Sequence, residues 1–337
     1  MNKPLPFART PRRPLHGVLL LDKPIGWTSN DALQKAKGML RAEKGGHTGT
    51  LDPLATGLLP LCFGAATKFS QVSLDADKRY TATLRLGQRT TTGDCEGDVT
   101  EERTVDVDLS AIEAACLRFT GRIAQTPPMY SALKHEGRAL YEYARAGVEV
   151  ERPARQVAIH SIDIIEWHSP NLVLNVACSK GTYIRTLAED IGHALGCGAH
   201  LSGLRRTGSG PLDLQHAITL EALQAMTEAE REARLLPADT LLAAWPAVHL
   251  PDDEAGRFLS GLRRRVGLAD APAVRVYRRP PEPPDGALAS FGASLGASLG
   301  ASLGASCGAF LGTAHITAGE LIADRLLSPI EVQEFPS

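Results

Sequence analysis

Apolar positions along this chain change period several times, and each change predicts an element. Gly17 to Asp22 is a short apolar strand, and Lys23-Pro24-Ile25-Gly26 turns away from it. Thr28 or Ser29 supplies a cap oxygen for the helix that follows, where Leu33, Ala36 and Leu40 recur at helical spacing and Gly45-Gly46 ends the segment. From Tyr80 to Leu86 the period falls to two. Tyr80, Ala82, Leu84 and Leu86 share one face, and Thr81, Thr83 and Arg85 the other, as in a half-buried strand. Ser110 and Glu113 make a capping-box pattern for a helix through Phe119. Leu172, Leu174, Val176 and Cys178 alternate in another strand, then Gly181 turns into a helix running to Leu195. Interspersed strands and helices with hairpin-like pairs predict an α/β chain of the α+β kind, with a mixed or antiparallel sheet.

Pro237, Pro246 and Pro251 mark a change of regime. A basic run follows, then a short strand at Val274–Tyr277 and a Pro-rich stretch from Arg279 to Asp285. Glycines 292, 296, 300, 304, 308 and 312 then recur every four residues in a Gly-Ala-Ser-Leu repeat. That density of Gly and Ser reads as a flexible insertion at about 279–308. The strand pattern resumes at Phe310 and ends near Leu327. Residues 1–15, rich in Pro and Arg, read as a mobile basic tail.

Composition narrows the class. The chain has 337 residues and a formal net charge of −2, enough for a sizeable core and roughly two domains. No apolar run approaches the ~18–20 residues of a membrane span, and the basic N-terminus lacks a signal-peptide core, so no membrane partner and a cytoplasmic location are expected. The six cysteines form no CxxC pair, and no His pair has zinc spacing, so reduced, mostly buried thiols are expected. Charge is unevenly spread: residues 1–50 hold nine basic and three acidic side chains, and further basic clusters stand at Arg152–Arg155, Arg205–Arg206 and Arg263–Arg265. A positive surface on a near-neutral protein suits a polyanion as partner.

The most unusual stretch is Gly46-His47-Thr48-Gly49-Thr50-Leu51-Asp52-Pro53-Leu54-Ala55-Thr56-Gly57. Its glycines and proline specify an irregular, tightly packed loop around one carboxylate. By composition alone Asp52 is equally an Asx-turn before proline, and His47 a packed loop histidine. No Walker lysine motif and no GxSxG elbow occurs.

Together with that loop, Gly17 to Pro24, Thr28-Ser29, Lys78-Arg79-Tyr80, Leu86 to Thr90 with Asp94, Tyr130 to Lys134 and Cys178 to Arg185 stand in the order of the TruB family of tRNA pseudouridine-55 synthases, which residues 17–206 closely resemble. The resemblance implies a pseudouridine-synthase fold, with a central, mostly antiparallel mixed sheet and a catalytic cleft across it. It implies a catalytic domain over residues 16–246 and a small β-rich, PUA-like RNA-binding domain over 247–337, interrupted by the Gly-Ala-Ser-Leu stretch. The implied reaction isomerises uridine 55 in the tRNA T-loop with neither cofactor nor metal. Asp52 matches the catalytic aspartate, Arg185 the arginine paired with it, and Tyr80 the tyrosine that stacks on the flipped uracil. His47 matches a residue that fills space vacated in the RNA, Tyr183 and Leu204 further pocket residues, and Asp94 a carboxylate near the site. Lys23 is assigned to support of the loop. Apart from the family, Arg185 reads equally as a surface helix charge, Tyr80 as a core strand residue, and Tyr183 and Leu204 as plain packing.

The expected partner is tRNA, through its T-loop and stem, with no protein partner and a monomeric state. A rival reading from another class is a tRNA-folding chaperone whose catalysis is dispensable. A third is a related synthase acting on another RNA.

Overall fold

The structure is a computed structural model that describes residues 11–279 and 308–334. The first ten residues of the basic tail and the repeat up to residue 307 lie outside the described residues. From Arg13 onward the tail is fastened, contrary to the expectation of mobility. Arg13 bridges to Ala42, and its guanidinium pairs with Glu228 at 3.0 Å and Glu232 at 2.5 Å.

The main sheet is built from β1 (Gly17–Lys23), β2 (Gly45–His47), β3 (Ala55–Phe63), β4 (Lys78–Leu86), β5 (Gly121–Gln125), β6 (Arg155–His168), β7 (Asn171–Cys178), β8 (Ala199–Ser209) and β9 (Ile218–Thr219). Its order is β9-β1-β3-β8-β4-β7-β6-β5, with β2 paired to β3 and a short Leu212–Asp213 strand paired to β8. All pairings are antiparallel except β1 with β9 and β8 with β3. The mixed, mostly antiparallel sheet is therefore present.

Helices α1 (Ser29–Leu40), α2 (Leu109–Arg118) and α3 (Ile184–Ala194) cover this sheet. Ala32, Leu33, Ala36 and Leu40 of α1 pack on Leu19 and Leu21 of β1. Ile112, Ala115 and Cys116 of α2, with Ile184, Leu187, Ala188 and Ile191 of α3, pack on Ala82 and Leu84 of β4. Each fully buried Leu or Ile among these stabilises by about 1.5–3 kcal/mol. Thr28 caps α1 by accepting from the Asp31 amide at 3.1 Å. At α2 the cap is Asp108, accepting from Ala111 at 2.8 Å, and not Ser110. Asp108 is the residue with extended backbone immediately before the first helical turn, so its carboxylate reaches the free amide.

The crossing of β3 and β8 needs glycine at position 57. Gly57 has φ +96, and a Cβ there would lie 2.4 Å from the Arg206 carbonyl oxygen.

A second sheet holds β10 (Ala247–Leu250), β11 (Ala271–Arg278), β12 (Ala309–Thr317) and β13 (Glu320–Leu326), in that order, with Arg264–Arg265 added at the β13 edge. The segment expected as one run from Phe310 to Leu327 is thus a hairpin turning at Ala318-Gly319. This sheet shares a core with the first: Val18, Leu20, Leu58 and Phe69 join Phe258, Val276, Tyr277 and Phe310 in one cluster. No helix among the described residues is long and apolar enough to cross a membrane.

Candidate active site

Asp52 lies in the segment joining β2 to β3, and that segment is tied from several sides. Gly26 donates its amide to the Pro53 carbonyl at 2.8 Å. The Lys23 ammonium, 0% exposed, donates to the carbonyls of Trp27 at 2.6 Å, Pro24 at 3.0 Å and Pro53 at 3.5 Å. Burial lowers the Lys23 pKa to about 8, against the opposing pull of Asp52 and Glu96. The Ser29 hydroxyl, free of capping duty, donates to the Leu51 carbonyl and accepts from the Leu51 amide. Thr48 is fully buried and accepts from Ser73 Oγ at 3.0 Å. A loop so over-determined holds its carboxylate in one place.

Asp52 faces Arg185 at 3.0 Å between Oδ2 and Nη2. The arginine side chain is 5% exposed and the aspartate 38%, so the pair is a buried cation carrying a reachable anion. Arg185 sits in the first turn of α3 and is held by the carbonyls of Thr92 at 3.1 Å and Tyr130 at 2.5 Å. Its other nitrogen approaches buried Asp94 at 3.5 Å. Asp94 is oriented in turn by the Thr92 hydroxyl at 2.5 Å and the Glu96 amide at 3.1 Å. One guanidinium thus serves two carboxylates. Arginine alone would lower the Asp52 pKa, as pairing suggests from the sequence. The net direction is upward: crowding by protein is the largest cause, Asp94 adds to it, and Arg185 and Lys23 oppose it.

Tyr80 and Leu204 stand half-buried where two cores meet, each packed against both. In the ladder, Leu204 lies opposite Ala82 of β4 on one side and Ala55, three residues after Asp52, on the other. Tyr183 precedes α3 and is fixed by Gln125, whose side chain accepts from the Tyr183 amide at 3.0 Å and donates to its carbonyl at 3.2 Å. His47 ends β2 opposite Leu61, with a buried Nδ1 that has no partner among the described residues. Burial and the charge of Arg206 push its pKa down, which keeps the ring neutral. Asp52, Arg185, Asp94 and Lys23 are thus joined directly or through one loop, with Tyr80, Leu204 and Tyr183 on the strands and helix bordering it.

Two features escape a sequence reading. Gln125 looks like any polar strand end, and its 2% exposure is visible only in the fold. The Arg205–Arg206 pair, read as positive surface, is divided: the Arg205 side chain stays 43% exposed and Arg206 is turned inward. Arg205 binds Asp22 at 2.6 and 3.1 Å, and Arg206 is 1% exposed. Strand alternation explains the difference in their surroundings, since neighbours on β8 face opposite sides.

The family model for the N-terminal domain of TruB pseudouridylate synthases matches residues 37–184, and that for the C-terminal domain of tRNA pseudouridylate synthase B matches 185–243. The tRNA pseudouridine synthase B of Burkholderia mallei is 59% identical over 279 residues, covering 81% of this chain and 90% of that protein. That of Cupriavidus metallidurans is 60% identical over 284 residues, covering 83% and 88%. Among solved structures, a Cbf5-Nop10-Gar1 complex matches with TM-score 0.68 at 24% identity, covering 94% of this chain and 86% of that one. An H/ACA RNP bound to a substrate RNA containing 2′-deoxyuridine matches with TM-score 0.66 at 24% identity, covering 95% and 87%. These two likenesses concern the fold. The loop that fixes Asp52, and identity near 60% over most of its length, establish that the chain belongs to the TruB family of pseudouridylate synthases, enzymes of the isomerase class.

Proposed function

We propose that this chain converts uridine 55 in the T-loop of tRNA to pseudouridine, with Asp52 as the catalytic carboxylate. The observation that carries the reading is the 3.0 Å pair between a partly exposed Asp52 and a buried Arg185. A carboxylate held so rigidly, yet open to a ligand, suits attack on a nucleotide brought to it.

The reaction breaks the C1′–N1 bond, turns the uracil and joins C1′ to C5. The C5 proton leaves, N1 gains one, and no oxidation occurs. Asp52 acts ionised, and three entries remain chemically open to it: attack at C1′, attack at C6, and deprotonation at C2′. The target base has to leave its stack, at a cost of a few kcal/mol. Tyr80 offers a ring for it, and base–aromatic stacking returns about 1–3 kcal/mol. Leu204 and Tyr183 complete the pocket wall, and His47, neutral, fills the space left in the RNA. Arg185 orients Asp52, Asp94 shares Arg185, and Lys23 holds the loop.

In this reading residues 16–246 form the catalytic unit and 247–337 an RNA-binding unit that takes the tRNA backbone. The enzyme works in the cytoplasm, as a monomer.

The test is tritium release from a T-loop stem-loop RNA labelled at uridine C5, by wild type and by Asp52→Asn. Release by wild type alone supports the reading. RNA bound without release would favour the tRNA-folding chaperone or a different target RNA.

A further inference from the structure

Arg206 is a buried cation in an unusual position. Its side chain extends from β8, 1% exposed, and no carboxylate lies within ion-pair distance of it among the described residues. A lone buried charge is costly, and such a group ordinarily has a carboxylate partner. Here the compensation comes from carbonyl oxygens: Nε donates to Leu58 at 2.7 Å and Nη2 to Gly49 at 3.3 Å. Gly49 belongs to the Asp52 loop, Leu58 to the strand that leaves it, and the strand residue opposite Arg206 is Tyr80. The charge therefore stands behind the tyrosine assigned to the target base and beneath the loop that carries Asp52.

Three other titratable groups feel it. Lys23 of β1, His47 of β2 and Lys78 of β4 are each disfavoured as cations by Arg206, in addition to their own burial. The hydroxyl of Tyr80 is moved the opposite way by the same charge, toward ionisation, although burial dominates. Burial is the largest cause of all four shifts, and within each the Arg206 contribution has the sign expected of a fixed positive charge nearby.

The proposed isomerisation, on which this inference rests, needs such a charge. If Asp52 attacks C1′, the bonding pair leaves on N1 and the uracil departs as an anion. If it attacks C6, the pair moves to the C5–C4–O4 system as an enolate. If C2′ loses its proton, elimination again expels the uracil anion. Each route places transient negative charge on the base, and fixed positive charge in a water-poor site is worth most where charge develops. We propose that Arg206 is a positioning and electrostatic residue of this reaction: held by Gly49 and Leu58, it fixes Tyr80 and the Asp52 loop in register and favours the anionic form of the target base.

The test compares Arg206→Gln, which keeps hydrogen-bond donors and loses the charge, with Arg206→Lys, which keeps the charge on a group that can lose it. Tritium release, RNA binding and melting temperature are measured for each beside wild type. Arg206→Gln is expected to lower kcat by about tenfold or more, with RNA Kd within about threefold. Arg206→Lys is expected to retain more activity than Arg206→Gln near neutral pH and to lose it at a pH below any alkaline limb of wild type. A buried ammonium beside Lys23 and Lys78 gives up its proton easily, whereas guanidinium does not. If Arg206→Gln does not fold, the pH profile of Arg206→Lys decides alone, because a purely structural role would not create a new limb. Equal losses in both variants in step with melting temperature, or an Arg206→Lys profile parallel to wild type, would overturn the proposal. No release by wild type would overturn the functional reading, and this inference with it.

Discussion

Ser29 and Leu51 are bonded twice: the serine hydroxyl donates to the Leu51 carbonyl at 3.1 Å and accepts from the Leu51 amide at 2.8 Å. Both groups are buried, so α1 and the residue before Asp52 move as one body. Ser29→Ala leaves a donor and an acceptor unpaired, each costing about 1–3 kcal/mol. The expected result is a lowered Tm and a kcat reduced by about 10- to 100-fold through misplacement of Asp52. RNA affinity stays near wild type. A variant with full kcat would show that the double bond does not set the position of the carboxylate.

Asp52→Asn is expected to abolish turnover and to leave RNA binding within a few-fold. It should also melt above wild type at neutral pH. The pKa of Asp52 is raised from 3.8, chiefly by burial, so the folded protein holds this proton more tightly than the unfolded chain. The favourable contribution is complete below 3.8 and is lost as pH rises through the folded value. At pH 7 the ionised carboxylate is therefore a net cost, which asparagine removes while Arg185 keeps Asp94. The two melting curves should converge toward pH 3, and kcat/KM of wild type should show an acid limb above the ordinary carboxylate range. Lower stability of Asp52→Asn at pH 7 would reverse the sign assigned to this site.

What was legible in the sequence follows physical lines. β1, α1, β4 and β7 show their periods because one face of each, or both for β1, is apolar in a regular way. β3 does not, because it is a central strand buried on both faces from Leu58 to Phe63 and so has no alternation to read. β6 is obscured by two register shifts, between Ile159 and Ser161 and between Ile164 and Glu166, which reset the pattern. At the site, Asp52, Arg185 and Tyr80 stand out only as parts of a motif. Arg206 has no signal at all: it is chemically identical to Arg205, and only the side of the strand it occupies separates a surface pair with Asp22 from a buried cation.

Lys23 gives a pH signature that isolates its burial. Its folded pKa of about 8 lies below the ordinary 10.5, so its contribution to stability is fully present above 10.5 and is lost as pH falls through 8. Lys23→Met removes that dependence. The destabilisation caused by Lys23→Met should accordingly grow between pH 8 and pH 10.5 when both proteins are unfolded in urea. A difference that stays constant over this window would mean that the ammonium is solvated in the folded state.

Phe69 tests whether the two sheets unfold together. It is 2% exposed and meets the Phe310 ring edge-on at 5.2 Å between centroids, within the core that joins both sheets. Beside it, Lys68 binds Glu331 at 2.6 Å and the Leu326 carbonyl at 3.1 Å, so the C-terminal segment is also pinned there by charge. Phe69→Ala opens a cavity between the sheets and should cost about 3–5 kcal/mol. Because Val18 and Leu20 of the central sheet line the same core, the loss should lower one cooperative calorimetric transition for the whole chain. Two separated transitions, with the central sheet melting at its wild-type temperature, would mean that the second sheet is an independent unit and that the shared core contributes little to the first.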